Sequence, residues 1–114
     1  MSAIAGWPGT ETLAFALRLR PGTEAEYRSR HDAIWPEMEQ VLREAGILHY
    51  EIHLSRGAGL LFAFIIRRRD HRMDALPDNP VWQAWQARMA DMLVGTPARV
   101  PLEHMFTLRA ETGE

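Results

Sequence analysis

The sequence predicts an α+β domain with the element order β-α-β-β-α-β. Three features lead to this fold class: alternating apolar residues near the N-terminus, two apolar stretches joined by a short glycine-containing loop, and two longer segments with helical apolar spacing. This order favours a ferredoxin-like architecture, in which both helices cover one face of a four-stranded antiparallel sheet.

Four segments are predicted as strands. The first two alternate apolar and polar residues, the third is apolar on both faces, and the last alternates again. Their ranges are Thr12–Arg20, Ile47–Ser55, Leu60–Arg67 and Pro101–Arg109. The loop "RGAG" between the middle two predicts an antiparallel hairpin. Since two helices cover only one face of the sheet, the doubly apolar third strand predicts that a second subunit covers the other face, in a homodimer.

Two segments are predicted as helices. The first opens at Thr23 and Glu26, which have the spacing of a capping box, and it ends at Gly46. Pro36 lies within its apolar stripe, so the helix should bend or split just after His31. The second helix, "VWQAWQARMADML", follows Asn79 and Pro80, which have the character of an N-cap and a first helical residue.

Composition limits the classes of function. The chain has 114 residues, so one domain is expected over residues 1–114, with loose tails at residues 1–10 and 111–114. A formal net charge of -2 implies neither a nucleic-acid partner nor a membrane surface. There is no cysteine, which excludes disulfides and thiolate chemistry. The chain lacks signal-peptide features and membrane-spanning stretches, so the expected location is cytoplasmic.

One group of side chains is suited to binding a small molecule. Tyr27 and His31 are four residues apart, so they should lie together on the inward face of the first helix. Tyr50 should point to the same space from the sheet, and Trp85 could form a wall. An aromatic pocket with hydroxyls and an imidazole suits a sugar. The alternative is that these residues are core aromatics and a buried helix histidine with satisfied hydrogen bonds.

A second group, in "HYEIH", contains the potential metal ligands His49, Glu51 and His53 on one side of a strand. Positions four apart on a strand are separated by about 13 Å, too far for both histidines to bind one ion on a straight strand. No metal site is therefore expected. No P-loop, dinucleotide glycine motif or nucleophile elbow is present, and these absences favour simple acid-base chemistry without a cofactor.

Several motifs together resemble the L-rhamnose mutarotase family. They are "EYRSRHDAIWPEM", "HYEIHL", "LLFAF", "NPVWQAWQARMADML" and "EHMFTL", and the resemblance runs from about Leu13 to Leu108. It implies a dimeric α/β barrel that interconverts the α and β anomers of a 6-deoxy-L-hexose without a cofactor.

The resemblance also implies roles for individual residues. His31 matches the family's proton-donating histidine, Tyr27 and Tyr50 match its sugar-binding tyrosines, and Trp85 matches the first member of a substrate-contacting Trp-Trp pair. The second member is Gln86 in this chain. The segment "VGTPARVP" is also shorter than the family's usual loop before the last strand. These departures make L-fucose an alternative substrate to L-rhamnose.

The expected chemistry is proton transfer. His31 would donate a proton to the ring oxygen and recover it on closure, because an imidazole titrates near neutral pH. The partner base is not identified by the sequence. Two other classes remain open, since a fold does not determine a function. One is a non-catalytic ligand-binding domain, and the other is a cofactorless enzyme, such as a monooxygenase, acting on aromatic compounds.

Overall fold

The computed structural model describes residues 8–110, which form a four-stranded sheet and three α-helices. In chain order the elements are β1 (Thr10–Arg18), α1 (Glu24–Asp32), α2 (Pro36–Glu44), β2 (Ile47–Ser55), β3 (Leu60–Arg68), α3 (Pro80–Met89) and β4 (Arg99–Pro101). Short 3₁₀ turns occupy Met73–Asp78 and Ala90–Met92. Of the tails predicted at residues 1–10 and 111–114, residues 1–7 and 111–114 lie outside the described residues, whereas Thr10 already belongs to β1.

The sheet has the order β2-β3-β1-β4, and every neighbouring pair is antiparallel. The ferredoxin-like prediction is therefore confirmed. The helices lie over one face, where they bury the alternating apolar side chains of the inner strands. Leu61, Ala63 and Ile65 of β3 are buried on that side, next to Phe15 of β1. The core thus lies between the sheet and the helices.

The opposite face of the sheet is apolar but only partly covered. Phe62 and Phe64 of β3 point to it, opposite Ala16 and Ala14 of β1, and Phe62 remains 36% exposed. Alternation along the strand places them there, because successive side chains point to opposite faces. The doubly apolar pattern of β3 therefore leaves an apolar surface on the described part of the chain.

The first predicted helix is split in two, as Pro36 indicates. α1 ends at Asp32 and α2 begins at Pro36, which occupies the first helical position. Trp35 just before it has φ -65° and ψ 135°, the extended conformation that a residue preceding proline prefers. The break lies directly after His31 and Asp32, so the imidazole stands at the C-terminal end of a helix.

The capping box predicted at Thr23 and Glu26 is wrong. The Thr23 hydroxyl donates to the Arg20 carbonyl oxygen at 2.7 Å and makes no capping bond to α1. The Glu26 carboxylate accepts from the Arg30 guanidinium at 2.8 Å. Both side chains therefore have other partners, which sequence spacing alone does not reveal.

The predicted cap of the second helix is confirmed. The Asn79 side-chain oxygen accepts from the Val81 N–H at 2.9 Å and from the Trp82 N–H at 3.1 Å. α3 ends at Met89, earlier than Leu93, because the chain tightens into the 3₁₀ turn that follows.

The closing strand differs from the prediction. β4 covers only Arg99–Pro101, which pair with Leu17, Ala16 and Phe15 of β1, whereas the predicted strand was Pro101–Arg109. Residues 102–110 have no regular secondary structure and are exposed. An extended apolar-polar alternation becomes a strand only where a neighbouring strand supplies hydrogen bonds, and the described chain supplies none for this segment.

Candidate active site

A cavity of about 750 Å³ lies on the helix-covered side of the sheet. α1 and α2 form one wall, β2 forms the floor, and α3 closes one end. The five residues singled out from the sequence all line it: Tyr27, His31, Tyr50, Trp85 and Gln86. The volume falls within the range typical of small-molecule sites. The structure therefore brings together side chains from three separate segments of the chain.

Tyr27 and His31 are stacked neighbours on α1. Their ring centroids are 4.5 Å apart, and the His31 Nδ1 lies 3.3 Å from the Tyr27 carbonyl oxygen. A carbonyl oxygen only accepts hydrogen bonds, so Nδ1 must carry the hydrogen. In the neutral imidazole, Nε2 then keeps its lone pair, and no partner for Nε2 occurs among residues 8–110.

Trp85 supports the other side of the imidazole. The His31 and Trp85 ring centroids are 5.5 Å apart with perpendicular planes, and Trp35 meets Trp85 in a similar edge contact at 5.2 Å. Trp85 is 4% exposed, so most of its surface is used in packing. Edge-to-face contacts of this kind hold aromatic rings in a defined orientation.

The hydroxyls of Tyr27 and Tyr50 have no hydrogen-bond partner among the described residues. Tyr27 is 8% exposed. Its pKa is raised, first by burial and second by the neighbouring Tyr50. Such groups normally find partners, because an unpaired buried polar group costs free energy. Two unpartnered hydroxyls on one cavity indicate a polar ligand.

Tyr50 lines the cavity and is partly exposed. The residue is 38% exposed, yet burial raises the pKa of its hydroxyl, an effect partly offset by the charge of Arg99. Both tyrosines stay protonated at neutral pH and act as hydrogen-bond donors or acceptors.

The imidazole of His31 is held in its neutral form. Burial lowers its pKa, and the hydrogen bond to the Tyr27 carbonyl and the charge of Asp32 oppose this shift without reversing it. The ordinary pKa of histidine is about 6.5. At pH 7 the resting imidazole is consequently a base with an available Nε2.

Acidic and basic side chains line the cavity in equal numbers. Three acidic and three basic side chains contribute to it: Glu24, Asp32, Glu39, Arg28, Arg43 and Arg56. These charged residues were not among those predicted from the sequence, although Arg28 and Asp32 could have been found as neighbours of the inward helix face. A balanced set of charges suits an uncharged polar ligand better than an anion or a cation.

Gln86 follows Trp85 on α3 and is exposed at the cavity. Its side chain carries both a donor and an acceptor, and neither has a partner among residues 8–110. The amide is therefore free to bond a ligand.

The histidines of "HYEIH" have a different arrangement. The Glu51 carboxylate accepts from His49 at 2.9 Å and from His53 at 3.1 Å, and these bonds lower its pKa, with His49 as the larger cause. No group of three or more potential ligands in the described part of the chain is arranged to hold a metal ion. Nor does any helix within residues 8–110 have the length and apolar character needed to cross a membrane.

Comparison with known proteins adds independent information. The family model of L-rhamnose mutarotase matches residues 12–109. An L-rhamnose mutarotase from Jannaschia sp. (strain CCS1) is 49% identical over 100 residues, covering 84% of this chain and 96% of the relative. One from Sinorhizobium fredii is 49% identical over 102 residues, covering 86% and 98%. These matches span nearly the whole length of the relatives.

Solved structures agree in fold. The crystal structure of an L-rhamnose mutarotase from Formosa agariphila has a TM-score of 0.75 and 33% identity, covering 86% of this chain and 98% of that one. A putative antibiotic biosynthesis monooxygenase from Bordetella bronchiseptica has a TM-score of 0.67 but only 15% identity, over 88% and 99% of the two chains. The second likeness shows the fold alone.

Proposed function

The chain belongs to the L-rhamnose mutarotase family, and we propose that it interconverts the α and β anomers of a 6-deoxy-L-hexose, with L-rhamnose as the main substrate and L-fucose as the alternative. The observation that carries this proposal is the set of unpartnered polar groups on one cavity. His31 Nε2 and the hydroxyls of Tyr27 and Tyr50 all lack partners among the described residues. A monosaccharide supplies hydroxyls that match them.

His31 is the proposed acid-base group. In ring opening, the neutral Nε2 accepts the proton of the anomeric hydroxyl, the bond between the anomeric carbon and the ring oxygen breaks, and the imidazolium gives the proton to the ring oxygen. The anomeric oxygen and the ring oxygen are both bonded to the anomeric carbon, so the single Nε2 atom reaches both. After rotation of the aldehyde, His31 recovers the proton from the open-chain hydroxyl and returns it to the carbonyl oxygen as the ring closes. No net proton is consumed, and no second base or cofactor is required.

The other four predicted residues position the sugar. Tyr27 and Tyr50 bond its hydroxyls or stabilise charge that develops on oxygen. Trp85 forms an apolar wall beside the anomeric centre. Because most of its surface is buried, the indole supports the sugar at this wall and does not offer a broad stacking surface. Gln86 bonds a hydroxyl at the open side of the cavity. The equal numbers of acidic and basic side chains agree with a neutral substrate.

The experiment that tests this function is NMR magnetisation exchange between anomeric protons, first with L-rhamnose and then with L-fucose. Wild type should accelerate exchange, and His31→Ala should lose about 10²- to 10⁴-fold of the acceleration while remaining folded. His71→Ala is the matched control, because His71 lies in the loop after β3 and does not line the cavity. Buffer-level exchange with both sugars and wild-type protein would overturn the proposal.

We further propose that the protein acts as a homodimer through the uncovered face of its sheet. Phe62 and Phe64 leave this face apolar, and the segment 102–110 exposes Met105, Phe106 and Leu108. A second copy would bury both features and provide a strand partner for the segment. Sedimentation equilibrium should give twice the monomer mass, and Phe62→Glu should shift it towards the monomer. A monomeric wild type at micromolar concentration would contradict this.

A further inference from the structure

Arg30, the residue before His31, connects α1 to the far end of α3. Its Nη1 donates to the main-chain carbonyl oxygen of Arg88 at 2.5 Å and to the Asp91 carboxylate at 3.1 Å. Its Nε donates to Glu26 at 2.8 Å, one turn earlier on α1. One guanidinium therefore bonds three acceptors, on α1, on α3 and on the turn that follows α3, and its side chain is only 18% exposed. None of these contacts involves the cavity.

α1 has few other means of being held in place. Of its nine residues, Tyr27 alone is buried. A helix of this length is marginal by itself and depends on tertiary contacts for its position. The chain then breaks before Pro36, so α1 is not a rigid continuation of α2. A small number of contacts thus decides where the side chains of α1 lie.

The point to which Arg30 binds is itself attached to the sheet. The Arg20 guanidinium, just after β1, donates to the Asp91 carbonyl oxygen at 2.8 Å, and the Arg20 N–H donates to the Met92 carbonyl oxygen at 2.8 Å. The turn after α3 is consequently anchored at the end of β1. A continuous series of hydrogen bonds leads from the sheet through this turn to Arg30.

This geometry affects His31 through Trp85. Arg88 lies about one turn after Trp85 on α3, and the indole of Trp85 meets the imidazole of His31 at 5.5 Å. Fixing α1 against the end of α3 therefore fixes how these two rings meet. We propose that Arg30 is a positioning residue, which holds the His31 imidazole in register with Trp85 and with the cavity. The proposal rests on the proposed function for its kinetic consequence, but its structural consequence can be measured separately.

The kinetic test compares three variants by anomeric exchange with L-rhamnose. Arg30→Ala should lower kcat by up to about 100-fold with little change in KM, because small misplacements of a catalytic group are costly while the cavity wall stays intact. Arg30→Lys should recover part of kcat, since an ammonium can bond one of the acceptors but not reproduce the guanidinium fork. Arg88→Ala removes a positive charge at the same end of α3 but keeps the main-chain carbonyl oxygen that Arg30 binds, so it should behave as wild type.

The structural test uses no substrate. In protein with isotope-labelled histidine, the imidazole signals of His31 report its orientation to the Trp85 ring. They should shift in Arg30→Ala, shift less in Arg30→Lys and stay unchanged in Arg88→Ala. If Arg30→Ala does not fold, Arg30→Lys carries the test. Wild-type imidazole signals together with a wild-type kcat in a folded Arg30 variant would overturn the proposal.

The two readouts also separate this proposal from the function it rests on. A wild-type protein that does not accelerate exchange refutes the mutarotase proposal, and the His31 signals then still decide the role of Arg30. Normal exchange by wild type, with unchanged His31 signals in both Arg30 variants, refutes the positioning role alone.

Discussion

The His31 imidazole meets the Trp85 indole edge to face, with ring centroids 5.5 Å apart and planes at 90°. The Trp85 ring covers one side of the imidazole. The Nδ1 atom is occupied by its hydrogen bond to the Tyr27 carbonyl oxygen. What remains is Nε2, which keeps its lone pair in the neutral ring of a residue that lines the cavity. The proposed acid-base chemistry depends on this arrangement.

The pH dependence of the rate follows from the resting state of His31. Burial lowers its pKa, and the proposed cycle begins with the neutral ring. After subtraction of the His31→Ala rate, we expect a rate that is level at neutral pH and falls as the pH decreases through the His31 pKa. This midpoint should lie below the ordinary value of about 6.5. A rate that rises towards acid would instead require a protonated resting imidazole.

Removing one tyrosine hydroxyl should weaken catalysis moderately. Tyr50→Phe and Tyr27→Phe each keep the ring and lose a group that has no protein partner among the described residues. A hydrogen bond to an uncharged group contributes about 0.5 to 1.5 kcal/mol, so kcat/KM should fall about 2- to 13-fold.

Thermal unfolding supplies the control for both phenylalanine variants. Their melting temperatures should equal or exceed that of wild type, because no internal hydrogen bond is broken. Two variants with wild-type kcat/KM would show that the hydroxyls do not contact the sugar.

Gln86 should influence which sugar is preferred. Gln86→Trp replaces an exposed amide at the cavity with an apolar ring, which favours contact with the C–H face of a sugar over bonding of a hydroxyl. We expect the ratio of kcat/KM for L-rhamnose to that for L-fucose to change by about 3-fold or more, corresponding to about 0.6 kcal/mol or more. Ala87→Trp adds the same ring beside the cavity lining, so its ratio should match wild type. Equal ratios in all three proteins would remove Gln86 from the substrate contacts.

The cap of α3 should contribute to stability. Asn79→Ala removes the acceptor of two main-chain N–H groups, which costs about 1 kcal/mol at an N-cap. Urea unfolding should therefore give a lower midpoint for Asn79→Ala and a nearly unchanged one for Asn79→Asp, whose carboxylate can cap in the same way. Equal midpoints for Asn79→Ala and wild type would mean that the capping bonds add nothing to stability.

Local patterns were sufficient for most of the fold. The hairpin of β2 and β3, the break before Pro36 and the Asn79 cap all depend on residues close together in the chain, and all three are present. The predicted capping box failed because Thr23 bonds the Arg20 carbonyl and Glu26 bonds Arg30. Competition of this kind between partners cannot be read from spacing.

The sequence by itself determined the order of the elements, the inward side of the helices and of β1 and β2, and the family resemblance, because periodicity and short motifs are local properties of the chain. Only the tertiary structure decided that Tyr27, His31, Tyr50 and Trp85 line one cavity and that two hydroxyls in it lack partners among the described residues. It also showed the connection from Arg30 to Asp91, 61 positions away. Such contacts join residues distant in sequence, so they form only when the sheet and helices have packed together.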